Sequence, residues 1–473
     1  MGLVEIAISV AAALLVGALV RGIWRTTLLL VLSVLAVYWF QPVIPLRSFD
    51  FWLPSLTLAF VILTWLITSA GDAWRARQNL STLLLILGVV AIVELSRYLL
   101  PDSILTATIP PPFLPFLLLS LILAVATALL FQLSRRRQSP TITFVIVLLL
   151  VVLVLLKTPA LSQQASIFFR TLANRSVDGA LATDLRWLGF SYIAFRLIHV
   201  LRDRQTGRLP ELSLAEFATY VVFFPSLVAG PIDRAERFAR DLRKEFRLGQ
   251  DDTLSAGQRL MIGLFKKFVI ADALALIALN DALAIQVRST FWMWIVTYAY
   301  AFQIYFDFSG YTDIAIGTAR LVGVKLPENF AAPYLKPNLA QFWNSWHITL
   351  TQWIRSYFFN PFNRWLRGYR KVPQWTMMLI GQLSTMLLIG LWHGVTVNFV
   401  LWGLWHGFGL FIQNRWSDFA KARFNVSNPR HQSALKLGSI FLTFNFVALG
   451  WVFFALTSPT LSRIVFSKLF GIW

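Results

Sequence analysis

The sequence predicts an all-α, polytopic transmembrane helical bundle, and three observations lead to that class. Of 473 residues, 57% are hydrophobic and 14% charged, against roughly 25% charged in an average soluble domain. Apolar runs of about 20 residues recur along the chain, each long enough to cross a ~30 Å hydrocarbon layer as a helix. The 42 Lys and Arg against 22 Asp and Glu give a net charge of +20, and this charge is spread over short loops between apolar runs. That distribution marks membrane topology and argues against a nucleic-acid partner, which would call for one extended basic patch.

Taken in order, the first third predicts six spans: Gly2 to Val20, Thr26 to Ile44, Phe51 to Ala70, Ser81 to Leu100, Phe113 to Leu133 and Ile142 to Leu156. Arg21 and Arg25, Arg75 and Arg77, Arg135 to Arg137, and later Arg202, Arg204 and Arg208 fall in alternate loops. The loops around Arg47 and from Pro101 to Thr108 are poorer in Lys and Arg, so the N-terminus is expected outside and the basic loops in the cytosol. The first span has no basic n-region and carries Glu5, which fits a retained helix better than a cleaved signal. Glu5 and Glu94 are expected to be hydrogen-bonded at a helix end or between helices, although an intramembrane acid is always a functional candidate. Leu161 to Asp184 reads as a partly amphipathic external or interfacial stretch.

Beyond it the apolar runs shorten and are broken by Pro, Gly and charge. Irregular backbone at membrane depth survives only when buried in protein or lining a wet cavity, so the second half is where a cavity is expected. Phe223 to Ile232, with two prolines and a glycine, reads as re-entrant. Asp233 to Arg247, with six basic and four acidic residues, reads as a cytosolic helix against anionic headgroups. Leu339 to Phe359, between Lys325, Lys336 and the cluster Arg364, Arg367, Arg370 and Lys371, reads as a second re-entrant piece. Residues 1–157 form an N-terminal helical extension in this reading and 158–473 the core of one continuous membrane domain. The total is about 11 to 13 membrane helices plus re-entrant segments.

Chemistry is expected where polar groups sit in apolar surroundings. Three of the five histidines, His347, His393 and His406, lie in Trp-rich segments where an imidazole is costly to bury without a purpose or partner. An imidazole is the side chain best suited to take a proton from a hydroxyl near neutral pH. His393 is expected at a helix junction or break, between Met377 to Leu391 and Val395 to Leu404. Asn344 precedes His347 by one turn and is expected on the same helical face, where it would orient a ring nitrogen or bind a carbonyl. Each of these has a plain structural alternative as an interfacial or hydrogen-bonded residue. His199 reads as structural and His431 as solvent-exposed in a polar loop with Asn428, Pro429 and Arg430. Asp307 and Asp313, six apart, do not share a helical face, and Asp307 is expected to bond neighbouring backbone or Tyr hydroxyls.

Several classes are excluded. There is no cysteine, so no disulfide, thiolate metal site or acyl-cysteine intermediate is available. There is also no GxxxxGK, GxSxG, HExxH or CxxC string, and His199 to Asp203 is one residue short of an HxxxxD box. No metal is expected.

Six motifs in order then carry a specific likeness. They are Phe224-Pro-Ser-Leu-Val-Ala-Gly-Pro-Ile-Asp-Arg234, Gln303-Ile-Tyr-Phe-Asp-Phe-Ser-Gly-Tyr-Thr-Asp-Ile-Ala-Ile-Gly317, Glu328-Asn-Phe-Ala-Ala-Pro-Tyr334, Phe342-Trp-Asn-Ser-Trp-His-Ile-Thr-Leu350, Gly390-Leu-Trp-His-Gly394 and Leu401-Trp-Gly-Leu-Trp-His-Gly407. Together they resemble the membrane-bound O-acyltransferase family, over roughly Leu185 to Gln413. The resemblance implies a bundle around a tunnel or funnel, reached by an acyl donor from one side and a hydroxyl acceptor from the other. It implies that His393 is catalytic and His347 the second functional histidine, with Asn344, Trp346, Trp392 and His406 as positioning or substrate-binding residues.

It further implies no permanently bound cofactor. The donor would be an acyl thioester, acetyl-coenzyme A or an acyl carrier, on the cytosolic side of a bacterial plasma membrane. Membrane lipids and an extracytoplasmic acyltransferase are the implied partners. The likeness is divided between the alginate O-acetyltransferase and D-alanyl-teichoic-acid branches. Ser345 replaces the usual arginine, and Arg355-Ser356-Tyr357 lacks the usual acid.

Overall fold

The structure, a computed structural model, describes residues 2–100, 105–369, 372–423 and 429–472, without the side chains of 421 and 422. Arg370, Lys371, Asn428 and the first four residues of the Pro101 to Thr108 loop lie outside the described residues. No strand occurs among the described residues. The chain divides into two compact units, residues 1–260 with 314–327, and residues 261–313 with 328–473.

The first unit begins with six helices where six spans were expected. They are α1 (Leu3–Leu19), α2 (Gly22–Trp39), α3 (Phe49–Thr68), α4 (Arg77–Leu99), α5 (Phe113–Arg136) and α6 (Gln138–Lys157). It continues through α7 (Pro159–Leu172), α8 (Phe190–Gln205), α9 (Leu214–Val222), α10 (Ala235–Arg243) and α11 (Gln250–Leu264). Helices α2 to α6 are each long and apolar enough to cross a membrane. Glu5 caps its own helix by accepting from the Gly2 N–H at 2.6 Å. Glu94 is buried, and its Oε1 has no hydrogen-bond partner among the described residues.

Two arginines make the irregular part of this unit possible. Arg25 was expected in a loop, but it lies inside α2, buried, and its Nη2 donates to the carbonyls of Asp241, Leu242 and Lys244 at 3.1, 2.7 and 3.0 Å. Those are the orphan acceptors at the end of α10. Helix α10 is therefore held on protein through Ala235, Phe238, Ala239 and Leu242 rather than lying on headgroups along that face, with Phe238 against Tyr220 and Phe223. Arg196, also buried, donates to the carbonyls of Val221 and Ser226 at 2.8 and 2.9 Å. It thereby satisfies the backbone where α9 stops at the Phe223 to Ile232 segment, as buried irregular backbone requires. Ser213-Leu-Ala-Glu216 forms a capping box that starts α9, Glu216 N–H to Ser213 Oγ at 3.3 Å and Ser213 N–H to Glu216 Oε2 at 2.9 Å. His199 is structural: its Nε2 meets Asp203 at 3.0 Å and its Nδ1 meets the Tyr220 hydroxyl at 3.2 Å.

The second unit opens with a π-helical turn, Phe265–Ala271, followed by α12 (Asp272–Ala275), α13 (Asp281–Gln286) and the start of α14 (Thr290–Leu321). The wide turn brings Lys266 and Lys267 onto α14. Asp307 pairs with Lys267 at 2.5 Å and Asp313 with Lys266 at 2.7 Å. The expected backbone or tyrosine partner for Asp307 is thus corrected to a lysine, which local spacing could not reveal. Then come α15 (Leu339–Trp343), α16 (Ile348–Ile354), a π turn over Arg355–Phe359 and α17 (Asn360–Leu366). The unit closes with α18 (Gln374–His393), α19 (Val397–Arg423), α20 (Pro429–Ala455) and α21 (Pro459–Leu469). His431, expected in a loop, is exposed on the first turn of α20.

Helices α18 and α20 are long and apolar enough to span, which with α2 to α6 makes seven such helices among the described residues. The chain is a polytopic helical membrane protein. Helices α18 and α19 form a close hairpin in which small residues let the backbones approach. A Cβ on Gly403 would lie 2.8 Å from the Met386 carbonyl, and one on Gly407 would lie 2.8 Å from Leu383.

Candidate active site

The site is built within the second unit, around the turn between α18 and α19. His393 is the last residue of α18, as the junction reading expected, and Gly394 follows it as cap. A Cβ at 394 would press on the Phe399 ring at 2.8 Å, so a small residue is needed for the turn to close. Thr396 then starts α19, its carbonyl accepting from the Val400 N–H at 3.1 Å. The His393 ring is half-buried, with ring centroids 4.5 Å from Trp392, 4.7 Å from Phe454, 5.9 Å from Phe399 and 6.0 Å from Trp402. It is a half-buried imidazole in an aromatic box.

His347 reaches the same place by a different route. Helix α15 ends at Trp343 and Asn344 is its cap, so Asn344 and His347 do not share one continuous helix as expected. His347 itself adopts a left-handed conformation, φ +43°, at the start of α16. That backbone is unfavourable for a residue with a Cβ by about 1–2 kcal/mol and must be held from outside. Asn329 holds it: its carbonyl accepts from the Ile348 N–H at 3.0 Å, and its Oδ1 accepts from the Thr349 N–H and hydroxyl at 3.2 and 2.6 Å. The Ala331 N–H donates to the Ser345 carbonyl at 3.0 Å, completing the clasp. The turn aims the buried His347 ring at Phe308, 4.7 Å between centroids, and at Trp392, 6.1 Å. Trp392 therefore stands between His347 and His393.

His406 lies inside α19 and is fully buried between Trp402, Trp343, Phe446 and Trp451, at centroid distances of 4.9, 5.2, 5.8 and 6.2 Å. Neither ring nitrogen has a hydrogen-bond partner among the described residues. Trp402 touches both His393 and His406, so imidazole and indole alternate from His347 through Trp392, His393 and Trp402 to His406. Trp346 is buried in the neighbouring wall, against Trp451, Phe330, Phe342 and Tyr334. Asn344 is exposed, and its Oδ1 accepts from Arg355 Nη2 at 2.6 Å.

Sequence reasoning quoted Asn329 and Arg355 only inside motifs, and it missed Phe454 and Trp451. The signal for Asn329 was its place in the Glu328 to Tyr334 motif; nothing local marked Phe454. A cavity of about 150 Å³ is bounded by Trp343, Asn344, Arg355, Gln382, Met386 and Ile389, and neither His347 nor His393 lines it. Ile389 is one helical turn before His393.

The model of the membrane-bound O-acyltransferase family, MBOAT, matches residues 24–458. The chain belongs to that family. Among its curated relatives in the family is a protein of Pseudomonas fluorescens described as "Probable alginate O-acetylase AlgI", 36% identical over 271 residues, 56% of this chain and 50% of the relative. A "Teichoic acid D-alanyltransferase" of Bacillus subtilis is 30% identical over 275 residues, 57% of this chain and 69% of the relative. A "Peptidoglycan O-acetyltransferase" of Helicobacter pylori is 36% identical over 242 residues, 50% of this chain and 43% of the relative. The matched stretch spans about half the length of the alginate relative. The family match extends well beyond the Leu185 to Gln413 stretch on which the six motifs lie.

Proposed function

We propose that this chain is a multi-pass O-acyltransferase of the bacterial plasma membrane. It would move an acyl group, acetyl in the first instance, from a cytosolic thioester to a hydroxyl of an extracytoplasmic polysaccharide or other envelope polymer. The observation that carries this reading is the placement of His347 and His393 on either side of Trp392, one imidazole buried and the other half-buried in an aromatic box. The names of the MBOAT relatives support the reaction class.

In this reading a neutral His393 nitrogen takes the proton of the acceptor hydroxyl as its oxygen attacks the thioester carbonyl carbon. The tetrahedral oxyanion collapses, the C–S bond breaks, and the leaving thiolate takes the proton back from the imidazolium. His347, fixed by its turn, would donate to the oxyanion or hold the donor. Asn344 and Arg355 at the cavity rim would steer the anionic carrier arm of coenzyme A or a carrier protein. Trp392 would keep the two imidazoles apart, and Trp346 and His406 would set the wall behind them. No resident cofactor enters this scheme. An extracytoplasmic acyltransferase would complete delivery to polymer.

Membranes containing the wild-type chain or His393→Ala, supplied with labelled acetyl donor, test the reading. Incorporation into polymer should fall by about 10²–10⁴-fold in the variant. Equal incorporation by folded wild-type and variant protein would return the chain to a non-catalytic scaffold or transporter. The Bacillus subtilis relative favours a second reading, D-alanyl transfer from an acidic carrier protein docking on Arg234 to Arg247. Purified protein that uses the charged carrier and ignores acetyl-coenzyme A would establish that reading in place of the first.

A further inference from the structure

In the first unit a polar cleft of about 370 Å³ opens where α3 ends and α4 begins, bounded by Trp65, Thr68, Gln78, Arg204, Glu211 and Arg243 among others. Both helices are long and apolar enough to span, the loop joining them carries Arg75, and Arg77 opens α4. The cleft therefore sits at the headgroup level of the cytosolic leaflet. Trp65 is an amphipathic ring at that level, with its indole N–H bonded to the Leu212 carbonyl at 3.0 Å.

The two arginines of the cleft differ. Arg243 is committed, its Nε to Glu216 Oε1 at 2.6 Å and its Nη2 to Glu216 Oε2 at 3.1 Å and the Glu211 carbonyl at 2.8 Å. Arg204 is not. Its Nε is buried without a partner, and its guanidinium makes no hydrogen bond or ion pair among the described residues. A guanidinium cannot give up its charge, and a buried donor left unmade is destabilising. The described residues supply no acceptor, so water or a bound ligand must meet the rest of this partly exposed guanidinium. The exposed Glu211 carboxylate, also without a partner among the described residues, adds one negative charge to the same cleft.

We propose that this cleft binds the phosphodiester headgroup of a membrane phospholipid, with the phosphate on Arg204. Glu211 selects a headgroup that also carries an ammonium, so phosphatidylethanolamine binds in preference to phosphatidylglycerol. The site shares no residue with the histidine cluster and does not depend on the catalytic reading.

The test uses the full chain, delipidated in detergent, with add-back of phosphatidylethanolamine, phosphatidylglycerol or inorganic phosphate, read by native mass spectrometry and thermal unfolding. Wild-type protein should retain phosphatidylethanolamine. Arg204→Gln should weaken retention about ten-fold, the loss of one charge-assisted pair, and Arg204→Lys should restore part of it. Glu211→Gln should abolish the preference between the two lipids. Ala73→Trp, at an exposed residue lining the cleft, should block the site with Arg204 in place, so the proposal is still decided if Arg204→Gln fails to fold. Equal retention by wild type and Ala73→Trp would overturn it. So would Arg204-dependent stabilisation by inorganic phosphate with none by lipid.

Discussion

At the scale of single residues, the site depends on groups that contact no substrate in the proposed reaction. Asn329 is fully buried, and its Oδ1 receives two bonds from Thr349 beside the left-handed His347. Replacing Asn329 by Ala removes the Oδ1 that accepts from the Thr349 N–H and hydroxyl and should cost about 1–3 kcal/mol. A lower unfolding midpoint should appear together with reduced acyl transfer, because the His347 ring loses its aim. His406 behaves differently. It is enclosed by four aromatic rings and its nitrogens lack partners among the described residues. His406→Phe should preserve the fold and raise the unfolding temperature, since it removes a buried polar group. Gly450→Ala should lower it, because the new Cβ would stand 2.7 Å from His406 Nε2. A fall in stability with His406→Phe would show that the ring is bonded to something the chain itself does not supply.

At the scale of elements, the α18 and α19 hairpin and the α7 region make opposite kinds of prediction. The hairpin is a matter of close approach. Gly403→Ala places a methyl 2.8 Å from the Met386 carbonyl, and overpacking of this kind costs about 1–3 kcal/mol. Because the hairpin also positions His393, activity should fall with stability in a denaturation and turnover assay. The α7 region is electrostatic. Burial pushes the Asp184 carboxyl up, but the Ser166 hydroxyl at 2.6 Å, the Leu181 N–H at 3.2 Å and Arg170 at 2.9 Å outweigh it, and the carboxyl ionises below its ordinary value of 3.8. A folded-state value below the unfolded one stabilises the protein above the unfolded value, and that contribution fades as pH falls through the folded value. Asp184→Asn should therefore melt earlier than wild type at neutral pH, and the gap should start to narrow only below about pH 4 and close as pH falls through the folded value.

At the scale of the whole molecule, the arginine distribution predicts the orientation. The chain contains no cysteine, so single introduced cysteines report sidedness without background. An impermeant maleimide should label Arg136→Cys and Arg208→Cys only from the cytosolic side and Val43→Cys, at a position 70% exposed, only from the outside. The opposite pattern would invert the topology and place the basic loops, with any anionic donor, on the wrong face.

Much of this was legible along the chain. The six N-terminal helices and the end of α18 at His393 could be read from hydropathy and motif order, because such signals are local. The spatial assignments were not legible. The Asn344 and His347 pairing failed because three residues of spacing imply one helix, whereas the chain turns between them and Asn329, eighteen positions before His347, fixes that turn. Arg25 looked like a loop charge because its acceptors lie more than 200 positions away. The Asp307 partner sits on a π turn that spacing rules for α-helices do not anticipate. The sequence by itself determined the membrane class, the family and the candidate residues to test for chemistry, since these depend on composition and short strings. Only the tertiary structure decided which of those residues meet, because buried guanidiniums, amide clasps and ring contacts join segments whose proximity no local preference encodes.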